Sequence, residues 1–413
     1  MVDKYKTKIL IFGCENGDRE IPSRIAFAGL AASRGWTSIV AHKDIADGFV
    51  GAFTSGVYVY KNTHAPALTR FGGAKKQGFF TIAVEEETLG VQSEYCLDSA
   101  LHVGNMLDEN VCKYIDIFVA GNKSDARIFH ENKNIKDDLP CLAIGNLRTA
   151  YAQLFSSVPR IEDGKKSCLI NGRLGLITGP VLWNQFLFLK NIGWSLADSV
   201  ESLRSGLLRE FDLMLEIDSA INSLSDFDVR WFRTHPAESG DYYTKFYGDS
   251  ISLQELSTGP MWFLMPYIDL VVGFSCTTLI ESLLAGRHVR NFGGLDAISL
   301  ADACIDKRKD LSLEDLPAER MDLLRDELYL QGDIFNQWLE MLEALPVNEV
   351  ELNLGAIRIP EWKPVDYSRQ RFGGYDLNMA NQDIRLMAER YKLKDQPKVG
   401  YADGLFIVQP SLS

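Results

Sequence analysis

The chain has 413 residues, too many for one ordinary hydrophobic core, so its length favours two domains. Hydrophobic residues make up 46% and charged residues 24%, which excludes the disordered and fibrous classes. Forty-three basic against 56 acidic residues leave a net charge of −13, which disfavours nucleic acid and anionic lipid as partners.

The N-terminal stretch MVDKYKTKILIFGCENGDRE contains an apolar run too short for the core of a signal peptide, so we expect a first β-strand there. No window approaches the ~20 apolar residues that a membrane span needs. The seven cysteines include no Cys-x-x-Cys pair, which predicts reduced thiols and neither a zinc site nor a disulfide framework. These features predict a cytoplasmic protein. Peripheral contact with the inner face of the cytoplasmic membrane and the oligomeric state stay open.

The first half alternates short apolar runs with segments of helical period. The runs KILIFG, TSIVAH, GVYVYK, FFTIAV, IDIFVAG and PCLAIGN predict strands. Between the first two, IPSRIAFAGLAASRG predicts a helix with Pro22 in its first turn and Gly35 as its C-terminal stop. Near-continuous apolar strands alternating with helices predict a parallel sheet covered on both faces.

The second half repeats this rhythm. The predicted strands are KSCLING, FDVRWFRTHP, IDLVVGFS and RHVRNFG, and TTLIESLLAGR predicts a helix that ends at Gly286. After about Leu345 the alternation fades, until LNMANQDIRLMAERYKL predicts a final helix.

The predicted organisation has two domains and an extension. An N-terminal domain covers 1–158, the stretch 156–166 serves as linker, and a second domain covers 165–345. An extension covers 346–413, and whether it packs back on the N-terminal domain stays open. The predicted fold class is α/β, with two Rossmann-like doubly wound domains facing a central cleft. In such sheets ligands bind beyond the carboxyl ends of the strands.

One polar turn of the second half, GFSCTTLIES, has the composition of a phosphate site. The first N–H groups of its helix lack internal partners, the dipole there is positive, and Ser275, Thr277 and Thr278 add hydroxyl donors around Cys276. The alternative is a capping box formed by Thr278 and Glu281, which needs no ligand.

The turn FRTHPAE ends a neighbouring predicted strand. Pro236 forces an extended or turn conformation on His235, and Arg233 lies two residues before it. A guanidinium, an imidazole and a helix N-terminus together would neutralise a leaving phosphate. Glu281, one turn into the helix, could accept from ribose hydroxyls. For a lone His-Pro, the alternative is a loop residue bonded to a backbone carbonyl.

Three acids, Glu85, Glu86 and Glu87, follow the predicted strand FFTIAV. A surface run of acids is usually only solvated. Because the strand before it looks buried, at least one carboxylate is expected at the carboxyl edge of the sheet. There it could act as general base toward a sugar hydroxyl.

Further polar turns of the first half are candidates for the acceptor side. The loop GCENGDRE lacks the glycine spacing of a dinucleotide site, so no nicotinamide cofactor is expected. The Gly-Asn turns have an alternative reading as tight turns and helix caps. The acceptor-side candidates are Glu15, Arg19, Glu20, Asn122 and Asn146.

These residues resemble a family. Over about residues 8–292 the chain is similar to bacterial surface-carbohydrate biosynthesis proteins. The similarity lies in the order of its motifs: the Arg-Glu loop and long helix, GVYVYK, EEE after a strand, VAGN, IGN, LING, RTHPAE and CTTLIESLLAG. Those are glycosyltransferases of the GT-B fold, related to capsule and O-antigen (lipopolysaccharide) enzymes that transfer Kdo or other nonulosonic acids from CMP-activated donors. More distantly, the His-Pro and Ser/Thr-rich turns resemble CDP-glycerol glycerophosphotransferases of teichoic acid synthesis.

The resemblance implies that His235 contacts the donor phosphate, that Ser275, Thr277 and Thr278 bind the same group, and that Glu281 faces the nucleotide. The family shows Asp-Glu-Glu-Gly where this chain has three glutamates and a threonine. Retaining Kdo enzymes carry an aspartate in the first strand of the second half. The corresponding LINGRLGLITG has no acid, so no aspartyl intermediate is expected there and the stereochemistry stays open.

The leading interpretation is a metal-independent glycosyltransferase with no cofactor beyond its CMP-sugar donor. It would transfer an acidic sugar to a glycan or lipid-linked glycan, with Glu86 or a neighbour as base. The alternatives on the same fold are a nucleotide-sugar 2-epimerase and a CDP-polyol phosphotransferase. A two-lobed small-molecule-binding protein is the non-enzymatic alternative.

Overall fold

The computed structural model describes residues 5–15, 17–61, 63–86, 107–131, 138–161, 164–172, 199–234, 241–248, 251–254, 261–292, 300–353, 375–402 and 405–411. The strands are β1 Tyr5–Cys14, β2 Trp36–His42, β3 Gly56–Lys61, β4 Phe79–Val84, β5 Ile117–Val119, β6 Cys141–Leu142, β7 Ser167–Asn171, β8 Val229–Arg233, β9 Ser252–Gln254, β10 Leu270–Gly273, β11 His288–Asn291, β12 Val350–Leu352, β13 Lys398–Ala402 and β14 Leu405–Gln409. The helices are α1 Gly17–Ala32, α2 Lys43–Val50, α3 Leu68–Lys76, α4 Glu109–Cys112, α5 Lys123–Glu131, α6 Leu147–Leu154, α7 Val200–Ser223, α8 Asp241–Tyr247, α9 Thr277–Leu284, α10 Leu300–Cys304, α11 Ala318–Glu327, α12 Ile334–Ala344 and α13 Leu377–Tyr391.

The chain divides into two compact units. The first consists of Met1–Leu154 and Asp322–Ser413, and the second of Phe155–Met321. The second unit therefore ends earlier than the predicted boundary at 345. The reason is α12, which packs on α1 through an aromatic group: the ring of Phe27 lies 6.2 Å from Phe335 and 5.9 Å from Trp338.

The first unit is built on a sheet in which six consecutive strands are parallel, in the order β2-β1-β3-β4-β5-β6. Two C-terminal strands extend it, because β14 pairs antiparallel with β2 and β13 pairs antiparallel with β14. The short β12 pairs antiparallel with the start of β1. The sequence analysis missed these three additions.

The second unit has a five-stranded sheet in the order β11-β10-β7-β8-β9, and every pair in it is parallel. One face of each sheet packs in its own hydrophobic core. In the first unit the rings of Tyr58, Phe71 and Phe118 belong to that core, and in the second Ile170 and Phe232 do. The predicted class, α/β with two Rossmann-like doubly wound units, is confirmed.

Two predicted helix ends can be compared with the structure. Gly286 has a φ of +73° and follows α9, and the amides of Gly286 and Arg287 return to the carbonyls of Leu283 and Ser282 as in a Schellman motif. This stop is confirmed. Pro22, by contrast, lies inside α1 and not in its first turn, because the helix begins earlier, at Gly17.

Among the described residues, none of the helices combines the length and apolar character that crossing a bilayer demands.

The C-terminal helix α13 is fixed to the first unit by a buried carboxyl group. Gly29 of α1 approaches it so closely that a Cβ there would lie 3.3 Å from Ile384 Cγ1. Asp383 accepts hydrogen bonds from Tyr151 Oη, at 2.7 Å, and from Tyr375 Oη. Burial raises the pKa of Asp383 to about 7, although both tyrosine hydrogen bonds act to lower it.

This carboxyl group predicts a pH-dependent stability. Asp383 ionises near pH 3.8 when unfolded but near pH 7 when folded, so its stabilising contribution is present at low pH and is lost as the pH rises through 7. We expect the stability of the wild type relative to Asp383→Asn to fall by on the order of 4 kcal/mol between pH 4 and pH 8. Urea unfolding at several pH values measures this.

The control for this prediction is Asp376→Asn, because Asp376 caps the same helix by accepting from the amide of Met379. That variant should follow the wild-type pH profile. A wild-type profile that runs parallel to that of Asp383→Asn would contradict the prediction.

Candidate functional site

Each unit has a point where the strand order reverses, and doubly wound sheets bind ligands beyond the carboxyl ends of the strands at such points. In the first unit the reversal lies between β1 and β3, whose carboxyl ends lead to Glu15 and Lys61. In the second it lies between β7 and β10, which end at Asn171 and Gly273. Both switch points carry polar side chains.

At the first switch point Glu15 is the centre of an ionic network. Its Oε1 accepts from Tyr60 Oη at 2.5 Å and from Lys43 Nζ at 2.8 Å. Its Oε2 lies 3.6 Å from Lys61 Nζ, which also contacts Glu20 Oε1 at 2.9 Å. The Glu20 carboxylate in turn accepts from the backbone amide of Glu15. The carboxyl ends of β1, β2 and β3 and the first turns of α1 and α2 thus meet at the Glu15 carboxylate.

The network keeps Glu15 charged and partly accessible. Burial alone would raise its pKa, but Lys61 and Lys43 lower the pKa of Glu15 to about 2. Its side chain is 23% exposed, whereas that of Lys61 is buried. At neutral pH, Glu15 is therefore a carboxylate able to accept hydrogen bonds and, being weakly basic, poorly suited to remove a proton.

His42 ends β2 at the same edge. Burial lowers the pKa of His42 to about 4 despite the nearby Asp44. Its Nδ1 accepts from the backbone amide of Asp44 at 3.3 Å, which requires that this nitrogen carry no proton. The imidazole is therefore neutral at physiological pH, and it caps α2.

Two acids of the predicted triplet are described, and both are buried. Glu86 Oε2 accepts from Arg24 Nη2 at 2.6 Å, and the two side chains are 1% and 3% exposed. The Glu86 carbonyl accepts from Arg148 Nη1 at 3.3 Å, and its Oε1 has no hydrogen-bond partner among the described residues. Glu85 is also buried, and Glu87 lies outside the described residues.

The two Gly-Asn turns contain helix caps. Asn122 Oδ1 accepts from the amide of Asp125, and Asn146 Oδ1 accepts from the amide of Thr149. Both asparagines are buried, as expected for caps at the sheet edge. Gly121 lies so close to the chain after β4 that a Cβ there would meet the Glu85 carbonyl oxygen at 2.4 Å. Arg19, the remaining acceptor-side candidate, is half-buried on α1.

At the second switch point Ser275 is held by its neighbours. Its φ is +50°, its amide donates to Asn291 Oδ1 at 2.9 Å, and its hydroxyl donates to Asp302 Oδ1 at 2.8 Å. Asn291 Nδ2 donates to the same Asp302 oxygen at 2.6 Å. The hydroxyl of Ser275 thus donates to an internal carboxylate in this structure. A phosphate that accepted from this hydroxyl, as predicted, would have to replace Asp302 as the acceptor.

The first residues of helix α9 do not form the capping box that the sequence offered as an alternative to a phosphate site. Its N-cap is Cys276, whose side chain makes no capping hydrogen bond, so the capping box of Thr278 and Glu281 is wrong. Thr277 and Thr278 form the half-buried first turn, whereas Glu281 is buried. Thr277 and Thr278 lie four and three residues before Glu281, so the three share one side of α9, and the role of Glu281 toward ribose hydroxyls stays a prediction.

The His-Pro turn is described only in part. Arg233 ends β8, half-buried, and its carbonyl accepts from the amide of Gly172 at 2.7 Å. This bond continues the pairing of β7 with β8 beyond Asn171. His235 and Pro236 lie outside the described residues, so their predicted contact with a phosphate stays a prediction.

The positively charged residues at the carboxyl edge of the first sheet were not predicted from the sequence. Lys43 and Lys61 stand at the carboxyl ends of β2 and β3, so listing the polar residues that end or directly follow every predicted parallel strand would have found both. Arg24 is harder to find, since its only signal is its position one helical turn after Glu20. In the second unit Asn171, Asn291 and Asp302 were missed.

Among the described residues there is no group of three or more His, Cys, Asp or Glu side chains placed to hold a metal ion. The expectation of a metal-independent reaction stays a prediction.

The Arg24–Glu86 pair yields a stability prediction. Arg24→Met leaves a buried carboxylate without its counter-charge, so we expect a loss of about 3–5 kcal/mol in the free energy of unfolding. Denaturant unfolding measures it.

The control is Arg34→Met, which removes an exposed pair with Glu343 at 4.0 Å and should cost less than about 1 kcal/mol. In the double variant Arg24→Met, Glu86→Gln no lone charge remains, and part of the stability should return. Equal losses for Arg24→Met and Arg34→Met would contradict the burial argument.

Comparisons with known proteins find similarity only at the level of structure. No protein-family model matches the chain, and no curated protein does. A variant of the wall teichoic acid polymerase TagF soaked with CDPG is similar at 10% identity, over 81% of this chain and 87% of that one, with a TM-score of 0.44. A protein from Listeria monocytogenes assigned as a UDP-N-acetylglucosamine 2-epimerase is similar at 12% identity, over 96% and 100% of the two chains, with a TM-score of 0.42. At these values the likeness assigns no activity to this chain.

Proposed function

We propose that this chain is a transferase that acts on a nucleotide-activated donor and a glycan acceptor. The observation that carries the proposal is the partly exposed, ionised Glu15 at the switch point of the first sheet, held by Lys43, Lys61 and Tyr60. Such a carboxylate is suited to bind sugar hydroxyls. The second unit supplies a second switch point, at which α9 begins.

The finer proposal concerns the donor. We propose a CMP-activated acidic sugar, such as Kdo or another nonulosonic acid, whose phosphate is bound at the start of α9 with help from Arg233 and His235. The side chains of Thr277 and Thr278 are half-buried in the first turn of that helix, and support this assignment. We propose further that cationic side chains and helix amides neutralise the phosphate without a metal ion.

In the proposed reaction a carboxylate of the triplet Glu85–Glu87 takes the proton from an acceptor hydroxyl. The hydroxyl oxygen forms a bond to the anomeric carbon, the bond from that carbon to the phosphate oxygen breaks, and CMP leaves with the bonding electrons. Glu86 is ion-paired with Arg24 and buried, which favours a role in shaping this edge. The base is therefore sought first at Glu87.

A direct test incubates the protein with CMP-Kdo, CMP-sialic acid, CDP-glycerol and UDP-N-acetylglucosamine, each with and without a glycan acceptor, and identifies products by mass spectrometry. A product that needs both CMP-sugar and acceptor supports the proposal. An isomer formed from a donor alone would identify an epimerase, and a new phosphodiester a CDP-polyol phosphotransferase. Failure to bind CMP, CDP and UDP by calorimetry would overturn all three.

Variants distinguish the proposed role of the glutamate triplet from that of the His-Pro turn. Glu87→Gln should reduce transfer by about 10²-fold or more with unchanged thermal stability. Glu86→Gln should reduce stability as well as transfer, because it removes the partner of Arg24. His235→Ala should weaken CMP binding, whereas Glu87→Gln should not. Wild-type transfer by His235→Ala at saturating donor would contradict the phosphate role.

Glu15 is tested through the acceptor. Glu15→Gln keeps the side-chain shape but removes the charge that binds hydroxyls, so we expect the acceptor KM to rise about tenfold, in line with loss of a charge-assisted hydrogen bond. The turnover at saturating acceptor should change less, since the weakly basic Glu15 takes no proton. The exposed Glu109→Gln on α4, which loses only its pair with Lys113, is the matched control. An unchanged KM in Glu15→Gln would remove it from the acceptor site.

A further inference from the structure

Helix α7 of the second unit has two apolar faces. One packs in the core of that unit through Leu213, Ile217 and Ile221. The other carries Leu208, Phe211 and Leu215, which are 54%, 53% and 72% exposed. A single exposed apolar residue is ordinary, but several in one stripe mark an interaction surface. We call these three residues the α7 stripe.

The α7 stripe has the spacing of a helix–helix seam. Leu208, Phe211 and Leu215 follow one another at intervals of three and four residues, the a and d pattern by which two helices pack side by side. The positions that continue the seam are polar at both ends: Arg204 precedes Leu208, and Asp218 follows Leu215. The seam therefore fits a partner helix about as long as the stripe.

The charges along the exposed side of α7 are unevenly distributed. The N-terminal half carries Glu201, Arg204, Arg209 and Glu210, whose charges cancel, whereas Asp212, Glu216 and Asp218 make the C-terminal half acidic. Two copies of α7 lying parallel would place acid against acid. An antiparallel pair centred on Phe211 places Arg204 of one copy against Asp218 of the other, and it also pairs the helix dipoles favourably.

We propose that the α7 stripe is a self-association surface, at which two copies of this chain pair their α7 helices antiparallel across a twofold axis. A second copy supplies a helix of matching length and spacing, and its Asp218 end lies opposite the Arg204 end of the first copy, so the same surface is used on both sides as an isologous interface requires. Three apolar side chains from each copy make a small contact, below the ~1,200 Å² of a stable complex. The dimer is therefore weak and concentration-dependent. This inference does not depend on the proposed function.

The test measures mass in solution by sedimentation equilibrium over a range of protein concentrations. The wild type is expected to move from the monomer mass of 46.3 kDa toward twice that value as the concentration rises. Phe211→Glu and Leu215→Glu should each hold it at the monomer mass. The matched control is Phe246→Glu on α8, where Phe246 is also apolar and 66% exposed but off the stripe, and it should associate like the wild type.

The orientation is tested by Asp218→Asn, which neutralises the acidic end of the seam. An antiparallel pair loses attraction and associates less, whereas a parallel pair loses repulsion and associates more. A wild type that stays at 46.3 kDa at every concentration overturns the proposal, and this measurement needs no variant to fold. Binding to phosphatidylglycerol vesicles that Phe211→Glu abolishes, without any self-association of the wild type, would assign the stripe to a lipid surface and overturn it as well.

Discussion

Burial of both faces of a parallel sheet is the constraint on which the polar sites depend. Strands such as β2 and β3 are buried at every position, so charged groups are confined to the strand ends. At the carboxyl edge of the first sheet Arg24 and Glu86 are almost fully removed from water. Such charges are tolerated only as close pairs, because each unpaired ion carries a large desolvation penalty.

The strands and the position of the polar edge could be predicted from sequence, because buried parallel strands are nearly continuous apolar runs and the residues after them are polar. The pairing at that edge could not. Glu15 meets Tyr60 and Lys61 only because β3 lies next to β1, and the order β2-β1-β3 is a tertiary property. For the same reason the sequence predicts that Glu86 is an accessible acid, because its contact with Arg24 depends on the tertiary structure.

Depth distinguishes residues that share one side of α9. Glu281 lies three and four residues after Thr278 and Thr277, but it is buried whereas they are half-buried, and residue spacing shows the side of a helix and not the depth. The tail was missed although β14 contains the apolar run LFIV, because β13 and β14 pair antiparallel and stand outside the alternation of strands with helices that marks the other strands. Strand β14 reaches β2 from the far end of the chain, and no local signal reports such a pairing.

The pairing of β14 with β2 also bears on the order in which the protein forms during synthesis. The second unit is continuous from Phe155 to Met321, whereas the first needs residues from both ends of the chain. Domains generally fold as units while the ribosome is still translating. Here the inserted unit emerges whole before α13 and β14 exist, so the half-made first unit must keep the edge of β2 unpaired until β14 has been translated.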